Sequence, residues 1–262
     1  MFFQMDNAFV EIESTAETFF TEVGRAAIMT FKAFAALRKV RNYAQQIIEQ
    51  FFQIGRRSLP LVLVTSFFVG LAIGVQAGFQ MTGFTPHWMA GGTILRTILI
   101  DLGPITIGLV LSGRISAGAA AELGSMKVTE QIEALRSFGI DPIDYLIMPR
   151  LVAAMFAVPS LLVYSNVTAI LASYYSCHMT IGLSWNEFVQ GMRYSFYAGD
   201  LETSLIKGFV FGIVIVISGS FFGLNSERGA KGVGTAATQA VVWASVSVFI
   251  LDYLISAILF YL

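Results

Sequence analysis

The sequence predicts an all-α integral membrane protein, in which an interfacial amphipathic helix at the N-terminus precedes five transmembrane helices. Hydrophobic residues make up 56% of the 262-residue chain and charged residues 13%, whereas soluble domains carry roughly 25% charged residues. The mean hydropathy is +0.72. Apolar stretches of about 20 residues, the length that crosses a bilayer, recur along the chain. We therefore expect an N-terminal cytoplasmic or interfacial helical segment at 1–58 and a five-span domain at 59–262.

The composition also excludes several classes of protein. A formal net charge of −1 argues against a nucleic-acid-binding surface, and the single cysteine, Cys177, excludes an internal disulfide framework. The first residues carry Asp6, Glu11 and Glu13 and no cationic region, so a cleaved signal peptide is not expected.

Residues 14–37 have the pattern of an amphipathic helix. Apolar residues such as Phe19 and Phe31 recur at three- and four-residue spacing, while Glu22 and Arg25 interrupt any continuous apolar run. A helix of this kind lies in the membrane interface and does not cross the bilayer. The alternative is a helix that packs on the rest of the protein.

Apolar segments that are expected to span the membrane cover about 59–82, 92–121, 146–176, 200–223 and 234–262. In the first of them, Gly70, Gly74 and Gly78 form a flat stripe at four-residue spacing, which lets another helix approach closely. Alternatively, these glycines merely reduce bulk.

The second span has its own pattern of small residues. Gly103, Gly108, Gly113 and Gly118 predict another close-packing surface, and Pro104 predicts a kink in the helix.

Polar segments separate the spans. Residues 122–145 predict a short charged helix at about 126–138 on the membrane surface, where a soluble partner can push on it. Asp141 is expected to cap the next helix, with Pro142 at its first position. Residues 177–199 are too polar for a span and predict a folded segment outside the membrane.

Lysine and arginine residues give the orientation. They collect on one side of the predicted spans, which holds Arg57, Arg114 and Arg150 among others, whereas the other side has only Arg193 outside the helix ends. The first side is therefore predicted to be cytoplasmic. This places the N-terminus and the helix at 126–138 in the cytoplasm and the C-terminus and the segment at 177–199 on the extracytoplasmic side.

Charged residues inside the predicted spans include Arg96, Asp101, Lys207 and Asp252. At about 1.5 Å of rise per residue, Asp101 lies on the order of 13 Å from the outer face, Asp252 about 15 Å and Lys207 roughly 10 Å. We therefore expect these three to meet as a buried ionic cluster, with Arg96 nearer the outer mouth. Intramembrane charges mark either function or a structural pair. The sequence leaves three roles open for this cluster. It could lock helix packing, relay protons, or act directly in handling a substrate or coupling motion.

Motifs for catalysis are absent from the sequence. No G-x-x-x-x-G-K-[ST] or G-x-S-x-G motif occurs, and His87 and His178 stand alone without a second ligand at metal spacing. We expect no enzyme activity, no metal and no cofactor in this chain.

Segments of the sequence resemble a known family. They are DLGP at 101–104, SGRISAGAAAELGSMKVTEQIEAL at 112–135 and GIDPIDYLIMPR at 139–150. In these segments, and in further similarity over nearly the whole chain, the sequence resembles the MlaE/YrbE permeases. These are the membrane subunits of ABC transporters that move lipids between the inner and outer membranes with MCE-domain proteins.

The resemblance implies a set of partners in the bacterial inner membrane. It implies a homodimer, or alternatively a pseudo-dimer with a second, different permease copy, around a lipid cavity, and an MCE-domain protein on the periplasmic side. It implies a cytoplasmic ABC ATPase, which binds ATP and Mg²⁺ and contacts the coupling helix at about 126–138. The coupling residues would be Lys127, Glu130, Glu133 and Arg136. A small cytoplasmic accessory subunit is compatible with it, and no nucleic-acid partner is expected.

The resemblance also carries individual residues over to this chain. The family's intramembrane acids fall on Asp101 and Asp252, and its lysine on Lys207. Its lipid-contacting positions fall on Ile73 and Phe84.

The chain departs from the family at one position. The arginine that often precedes the first acid, and that suits a phosphate, is replaced by Ile100. Arg96, about one turn earlier, is expected to substitute for it on a similar face.

The function expected from these observations is that of a permease subunit of an ATP-driven lipid transporter. Two alternatives remain from the sequence. A secondary transporter would use Asp101 and Asp252 as a proton or ion site, and a structural scaffold would assemble other membrane proteins without binding a substrate.

Overall fold

The computed structural model describes residues 21–80 and 86–261, which form helices and contain no β-strand. The helices are α1 (21–35), α2 (Ala44–Gln80), α3 (Met89–Val128), α4 (Gln131–Ser137), α5 (Ile143–Ile181), α6 (Trp185–Ser195), α7 (Ala198–Leu224) and α8 (Ala230–Tyr261). Five of the described helical segments, those containing α2, α3, α5, α7 and α8, are long and apolar enough to cross a membrane. The predicted fold class is confirmed.

The N-terminal part of the described chain is continuous with the first span. Residues 14–20 of the predicted amphipathic helix lie outside the described residues. A 3₁₀-helical segment, Ala36–Tyr43, joins α1 to α2, and α2 then runs through the predicted boundary between 58 and 59. Met29 and Ala33 of α1 are buried in the main core, while Ile28 and Phe31 are exposed. One face of α1 therefore packs on the bundle, and the opposite face remains available to a membrane interface.

The glycine stripe of α2 lies against α5, as predicted. A side chain at Gly70 or Gly74 would overlap the carbonyl oxygen of Ala169 or Ser173, and one at Gly78 would come within 2.7 Å of Thr180 Oγ1. The Ser173 hydroxyl donates to Gly70 O at 2.7 Å. A side chain as short as serine can reach this carbonyl because the two backbones are so close. The glycines thus set the distance between α2 and α5.

The glycines of α3 divide into two pairs. Gly103 contacts Asn166 of α5 and Gly108 contacts Val248 of α8, so the predicted close packing is confirmed there. Nothing lies within 4 Å of the position where a Cβ would stand at Gly113 or Gly118. The prediction is wrong for this pair within the described chain, because both glycines border open space: Gly113 is exposed, and Gly118 lines a cavity.

Helix α3 is interrupted by two wider, π-helical turns, at Ile98–Leu102 and Ser112–Ser116. The first directly precedes Gly103 and Pro104, where a kink is predicted, and the Gly103 N–H donates to Ile98 O five residues earlier. A proline ring disturbs the preceding turn of a helix because it crowds the carbonyl one turn back and brings no N–H. A π-helical turn accommodates this without ending the helix.

The predicted short helix at 126–138 is in fact two pieces. Helix α3 continues to Val128, and α4 begins only at Gln131. Glu130 between them adopts a left-handed conformation with φ of 59°, which breaks the helix. This correction could not come from the sequence, since a left-handed residue is usually glycine and here it is glutamate. As predicted, Asp141 caps the following helix, because its Oδ1 accepts from the Ile143 N–H at 2.9 Å.

The polar segment at 177–199 folds only in part as predicted. Its first residues, up to Ile181, continue helix α5, which is capped by Gly182 with φ of 68°, and the rest forms α6 and its flanking loops. Ser184 and Glu187 form a reciprocal cap at the start of α6, with the Glu187 N–H donating to Ser184 Oγ and the Ser184 N–H donating to Glu187 Oε2. The Ser184 hydroxyl also donates to Glu187 Oε2 at 2.7 Å, and this hydrogen bond, followed by the one from the Ser184 N–H, lowers the pKa of the Glu187 carboxyl from its ordinary value of 4.5.

Candidate functional site

Helix α7 presents two charged residues of opposite sign to α3. Asp200 and Lys207 are seven residues apart, which is two turns, so they share one face of the helix. Asp200 pairs with Arg96 of α3, with 3.1 Å between Arg96 Nε and Asp200 Oδ2. Lys207 lies beside Asp101 of the same helix, with 3.9 Å between Nζ and Oδ1. Two opposite-charge pairs therefore hold α3 and α7 in register.

Lys207 is the centre of the cluster. Its side chain is fully buried, and Nζ lies 2.8 Å from Asp252 Oδ1 of α8. The same Nζ donates to the Ile100 carbonyl oxygen at 2.6 Å. Since a buried ammonium is costly unless it is paired and hydrogen-bonded, these contacts explain how Lys207 is tolerated at this depth. The predicted meeting of Asp101, Lys207 and Asp252 is confirmed.

Asp101 differs from the other two members of the cluster. Its side chain is 62% exposed in the single chain, whereas that of Asp252 is 12% exposed. The expectation of a wholly buried cluster is therefore wrong for Asp101. The first π-helical turn of α3 holds Asp101, and the extra residue in that turn rotates its carboxylate toward the outside of the bundle. The cluster thus combines a buried Lys–Asp pair with an accessible carboxylate.

Ile100, which stands where the family often has arginine, contributes through its backbone. Its side chain is 6% exposed and points into the core, and its carbonyl receives the Lys207 hydrogen bond. Arg96 is half-exposed and anchored by the buried Asp200. The structure therefore gives Arg96 a fixed position one π-turn away from Asp101; its contact with a headgroup stays a prediction.

The two lipid-contacting positions carried over from the family have different outcomes. Ile73 is 8% exposed and packs in an apolar cluster with Ala77, Ile94 and Ala169. It borders a crevice of only about 10 Å³, which is too small for a lipid chain. Phe84 lies outside the described residues.

The predicted coupling residues lie at the surface on and around α4. Glu130, Glu133 and Arg136 are exposed, and none of their side chains has an ion-pair partner within residues 21–80 and 86–261. Lys127, at the end of α3, instead donates to Ser226 O at 2.8 Å, in the loop between α7 and α8. The three exposed residues remain available to a partner, while Lys127 links two parts of this chain.

Helix α4 packs on α3 and α5 through apolar contacts. Ile132 is 2% exposed and packs between Leu123 of α3 and Leu146 of α5. On the outward side, Phe138 is 81% exposed. A short helix with one buried apolar residue and a charged outer face can transmit a push to the two helices beneath it.

Two acidic partners are not anticipated from the sequence. Asp200 pairs with Arg96, and Glu122 pairs with the buried Arg150 at 2.7 Å. A signal was present for both, since each acid lies at the end of its predicted span on the same side of the membrane as its arginine. Within the described residues, no three His, Cys, Asp or Glu side chains come together to hold a metal ion.

Comparison with known proteins identifies the family. The profile described as Permease MlaE matches residues 47–258, which is most of the chain. The chain belongs to the MlaE permease family. It is a multi-pass membrane protein whose relatives include subunits named as ABC transporter permeases.

Three relatives illustrate the range of the family. A probable ABC transporter permease protein of Rickettsia typhi is 34% identical over 242 residues, covering 92% of this chain and 93% of the relative. The chloroplastic protein TRIGALACTOSYLDIACYLGLYCEROL 1 of Arabidopsis thaliana is 34% identical over 222 residues, covering 85% and 63%. The intermembrane phospholipid transport system permease protein MlaE of Haemophilus influenzae is 27% identical over 248 residues, covering 92% and 93%.

Proposed function

We propose that this permease is the membrane subunit of an ATP-driven transporter that moves phospholipid between the inner and outer membranes of a bacterium. The name of the Haemophilus relative supports phospholipid as the substrate. The observation that carries the mechanism is α4, a short helix with an unpaired charged surface that is anchored on α3 and α5. A permease that is driven from outside itself needs such a surface.

The path of coupling follows from the contacts of α4. A cytoplasmic ABC ATPase contacts Glu130, Glu133 and Arg136, and its closure on ATP displaces the helix. Ile132 passes the displacement to Leu123 of α3. Helix α3 contains two π-helical turns, where a helix can shift its register at small cost, and the farther one holds Asp101 beside Lys207. Movement of α4 thus reaches the charge cluster.

The exposure of Asp101 supports a second copy of the permease. A carboxylate on the order of 13 Å inside the bilayer does not face lipid tails, because the cost of exposing a charge there is several kcal/mol. Such groups face a protein interior or a water-filled cavity. Two copies that enclose a polar cavity lined by Asp101 and rimmed by Arg96 meet this requirement, and the cavity holds the phospholipid.

The orientation and the remaining partners complete the proposal. The excess of Lys and Arg on the side of the bundle that carries α4 supports a cytoplasmic location for that side. The segment with α6 then faces the periplasm, where an MCE-domain protein receives or delivers the lipid. The ion-coupled alternative has less support, since Asp252 is already engaged by Lys207 at 2.8 Å and only Asp101 is open to an ion.

The experiment that tests the proposal reverses one charge on α4. The permease, its ATPase and its MCE protein are co-purified from native membranes and reconstituted, and ATP hydrolysis and lipid movement are measured together. Arg136→Glu is expected to reduce lipid movement about tenfold or more, equivalent to the loss of one charge-assisted contact. Lys231→Glu at the start of α8 is the matched control, since Lys231 is also exposed and belongs to the α4 side of the membrane but does not lie on α4. Normal lipid movement by Arg136→Glu, or equal loss in both variants, would contradict the coupling role.

A further inference from the structure

A second charged cavity lies at the other end of the bundle from the Lys207 cluster. It has a volume of about 470 Å³ and is bounded by α2, α3, α5 and α7. Its polar lining includes Arg57 of α2, Arg114 and Glu122 of α3, and Arg150 of α5, and its apolar wall includes Val216 of α7. Sites for small molecules have volumes of roughly 300–1,000 Å³, so a compact polar ligand fits this cavity.

The charges of the cavity do not cancel. Arg150 is 5% exposed, donates to Leu146 O at 3.0 Å and pairs with Glu122 at 2.7 Å. Glu122 is therefore neutralised by a group that is itself fixed in place. Arg57 and Arg114 have neither an ion-pair nor a hydrogen-bond partner in the part of the chain that the structure describes. Two unpaired guanidinium groups thus line the same cavity, and their positive charge favours the binding of an anion there.

The depth of the cavity suggests where that anion comes from. About 20 helical residues cross the hydrocarbon core of a bilayer. Counted back from Gln80, the core ends close to Pro60 of α2, and counted forward from Gly92, it ends close to Ser112 of α3. Arg57 lies about one turn, and Arg114 about half a turn, beyond these points. They are therefore at the level of lipid phosphates and not in the aqueous phase.

The shape of α3 at this point leaves room for a ligand. Gly118 lines the cavity, and a Cβ at Gly118 would meet no atom within 4 Å. Ile54 and Ile115 are buried beside it. Val216 of α7, which is 1% exposed, lines the cavity on the side of the membrane interior, because it lies about one turn inside the point reached by counting 20 residues from Asp200. A molecule with a phosphate at the arginines and an apolar part toward Val216 would match both ends of this space.

We propose that this cavity binds the phosphate ester headgroup of a phospholipid from the cytoplasmic leaflet, held by Arg57 and Arg114. Planar guanidinium groups suit a phosphodiester because they donate paired hydrogen bonds to its oxygens. The site is separate from the cavity lined by Asp101, which lies near the other membrane face. The identification of the ligand as a lipid of the cytoplasmic leaflet rests on the proposed orientation and function. The inference that the cavity binds a phosphate group does not.

The test labels the site directly. The full permease complex in nanodiscs is exposed to a phospholipid that carries a photoactivatable group on its headgroup, and the labelled peptides are identified by mass spectrometry. Labelling is expected in the segments 50–58 and 114–122. Short-chain phosphatidylglycerol should compete, whereas diacylglycerol with the same chains, which lacks the phosphate, and inorganic phosphate should not.

Matched variants assign the effect to the two guanidinium groups. Arg57→Gln and Arg114→Gln are each expected to weaken competition about tenfold, the loss of one charge-assisted contact to phosphate. Arg56→Gln is the control, because Arg56 is exposed and adjacent but does not line the cavity. Arg114→Lys, which keeps the charge but loses the paired hydrogen bonds, should bind less strongly than the wild type and more strongly than Arg114→Gln. Thermal unfolding of each variant shows that the fold is intact, as expected for exposed side chains.

Several outcomes would overturn the inference. Unchanged labelling in the Arg57→Gln/Arg114→Gln double variant would show that the arginines hold no headgroup. Equal competition by diacylglycerol would remove the role of the phosphate, and equal competition by inorganic phosphate would make this a site for a soluble anion. Loss of ATPase binding without loss of labelling would make it a protein contact. Labelling at this site in a complex that moves no lipid would refute the proposed function and leave the site standing.

Discussion

Replacement of Lys207 by methionine should destabilise the permease strongly. Methionine preserves most of the apolar stem of the side chain but leaves Asp252, whose side chain is 12% exposed, without the ammonium that lies 2.8 Å from its Oδ1. Breaking a buried ion pair from one side costs about 3–5 kcal/mol. For a chain of this size, at ~2–4 °C per kcal/mol, the midpoint of thermal unfolding should fall by roughly 6–20 °C.

The contrast with Asp101 follows from the same geometry. Asp101 lies 3.9 Å from Lys207 Nζ and is 62% exposed, so its replacement by asparagine resembles the loss of an exposed ion pair, which costs about 0–1 kcal/mol. Thermal unfolding of purified permease in detergent, followed by tryptophan fluorescence, measures both variants. We expect Lys207→Met to melt well below the wild type and Asp101→Asn to melt close to it.

A double variant separates packing from function. Lys207→Met with Asp252→Leu removes both charges, and a buried ion pair replaced by apolar residues of similar volume is often neutral or stabilising. Its unfolding midpoint should return to near that of the wild type. If it then fails to move lipid, the cluster does more than lock the helices. A single Lys207→Met variant that melts like the wild type, or a double variant that melts as low as the single one, would refute the reasoning.

Two further predictions concern packing and capping. Gly74→Leu should cost about 3 kcal/mol or more, since any side chain there overlaps the Ser173 backbone, while the control Gly113→Ala, in open space, should leave the unfolding midpoint nearly unchanged; equal effects would contradict the packing. Ser184→Ala should cost roughly 1 kcal/mol through the loss of the α6 cap, and a wild-type midpoint would show that the cap is not used. Because the folded-state pKa of Glu187 lies below 4.5, the capping contribution is present above about pH 4.5 and is lost as the pH falls through the folded value. Hydrogen exchange of α6 amides against pH measures this, and protection that is flat below pH 4.5 would contradict it.

The long apolar helices could be predicted from the sequence because hydropathy and helix length decide them. Their close packing could be predicted where glycines repeat every four residues, as at Gly70 and Gly74. The meeting of Lys207 with Asp252 also followed, since counting residues from the outer face puts the two within about 5 Å of each other in depth, which a long lysine side chain can bridge. In each case a local pattern carries the information.

Other features depend on contacts that the local pattern does not contain. The left-handed Glu130 breaks the predicted surface helix without any glycine to signal it. The exposure of Asp101 depends on the rotation of α3, which the π-helical turn at Ile98–Leu102 changes by adding a residue. The open space beside Gly113 and Gly118 depends on how far the neighbouring helices stand from α3 at that point. Pairing of Arg150 with Glu122 depends on which helices become adjacent.

The contact between α2 and α5 divides the permease into a rigid part and a movable part. Gly70 and Gly74 bring the two backbones together, and the Ser173 hydroxyl and the Cys177 thiol donate to the Gly70 and Gly74 carbonyl oxygens. Sliding one helix along the other would break these hydrogen bonds and drive Ser173 into its neighbour's main chain. The two helices therefore move as one rigid unit. Movements that open and close the protein have to occur between this unit and the helices that pack against it.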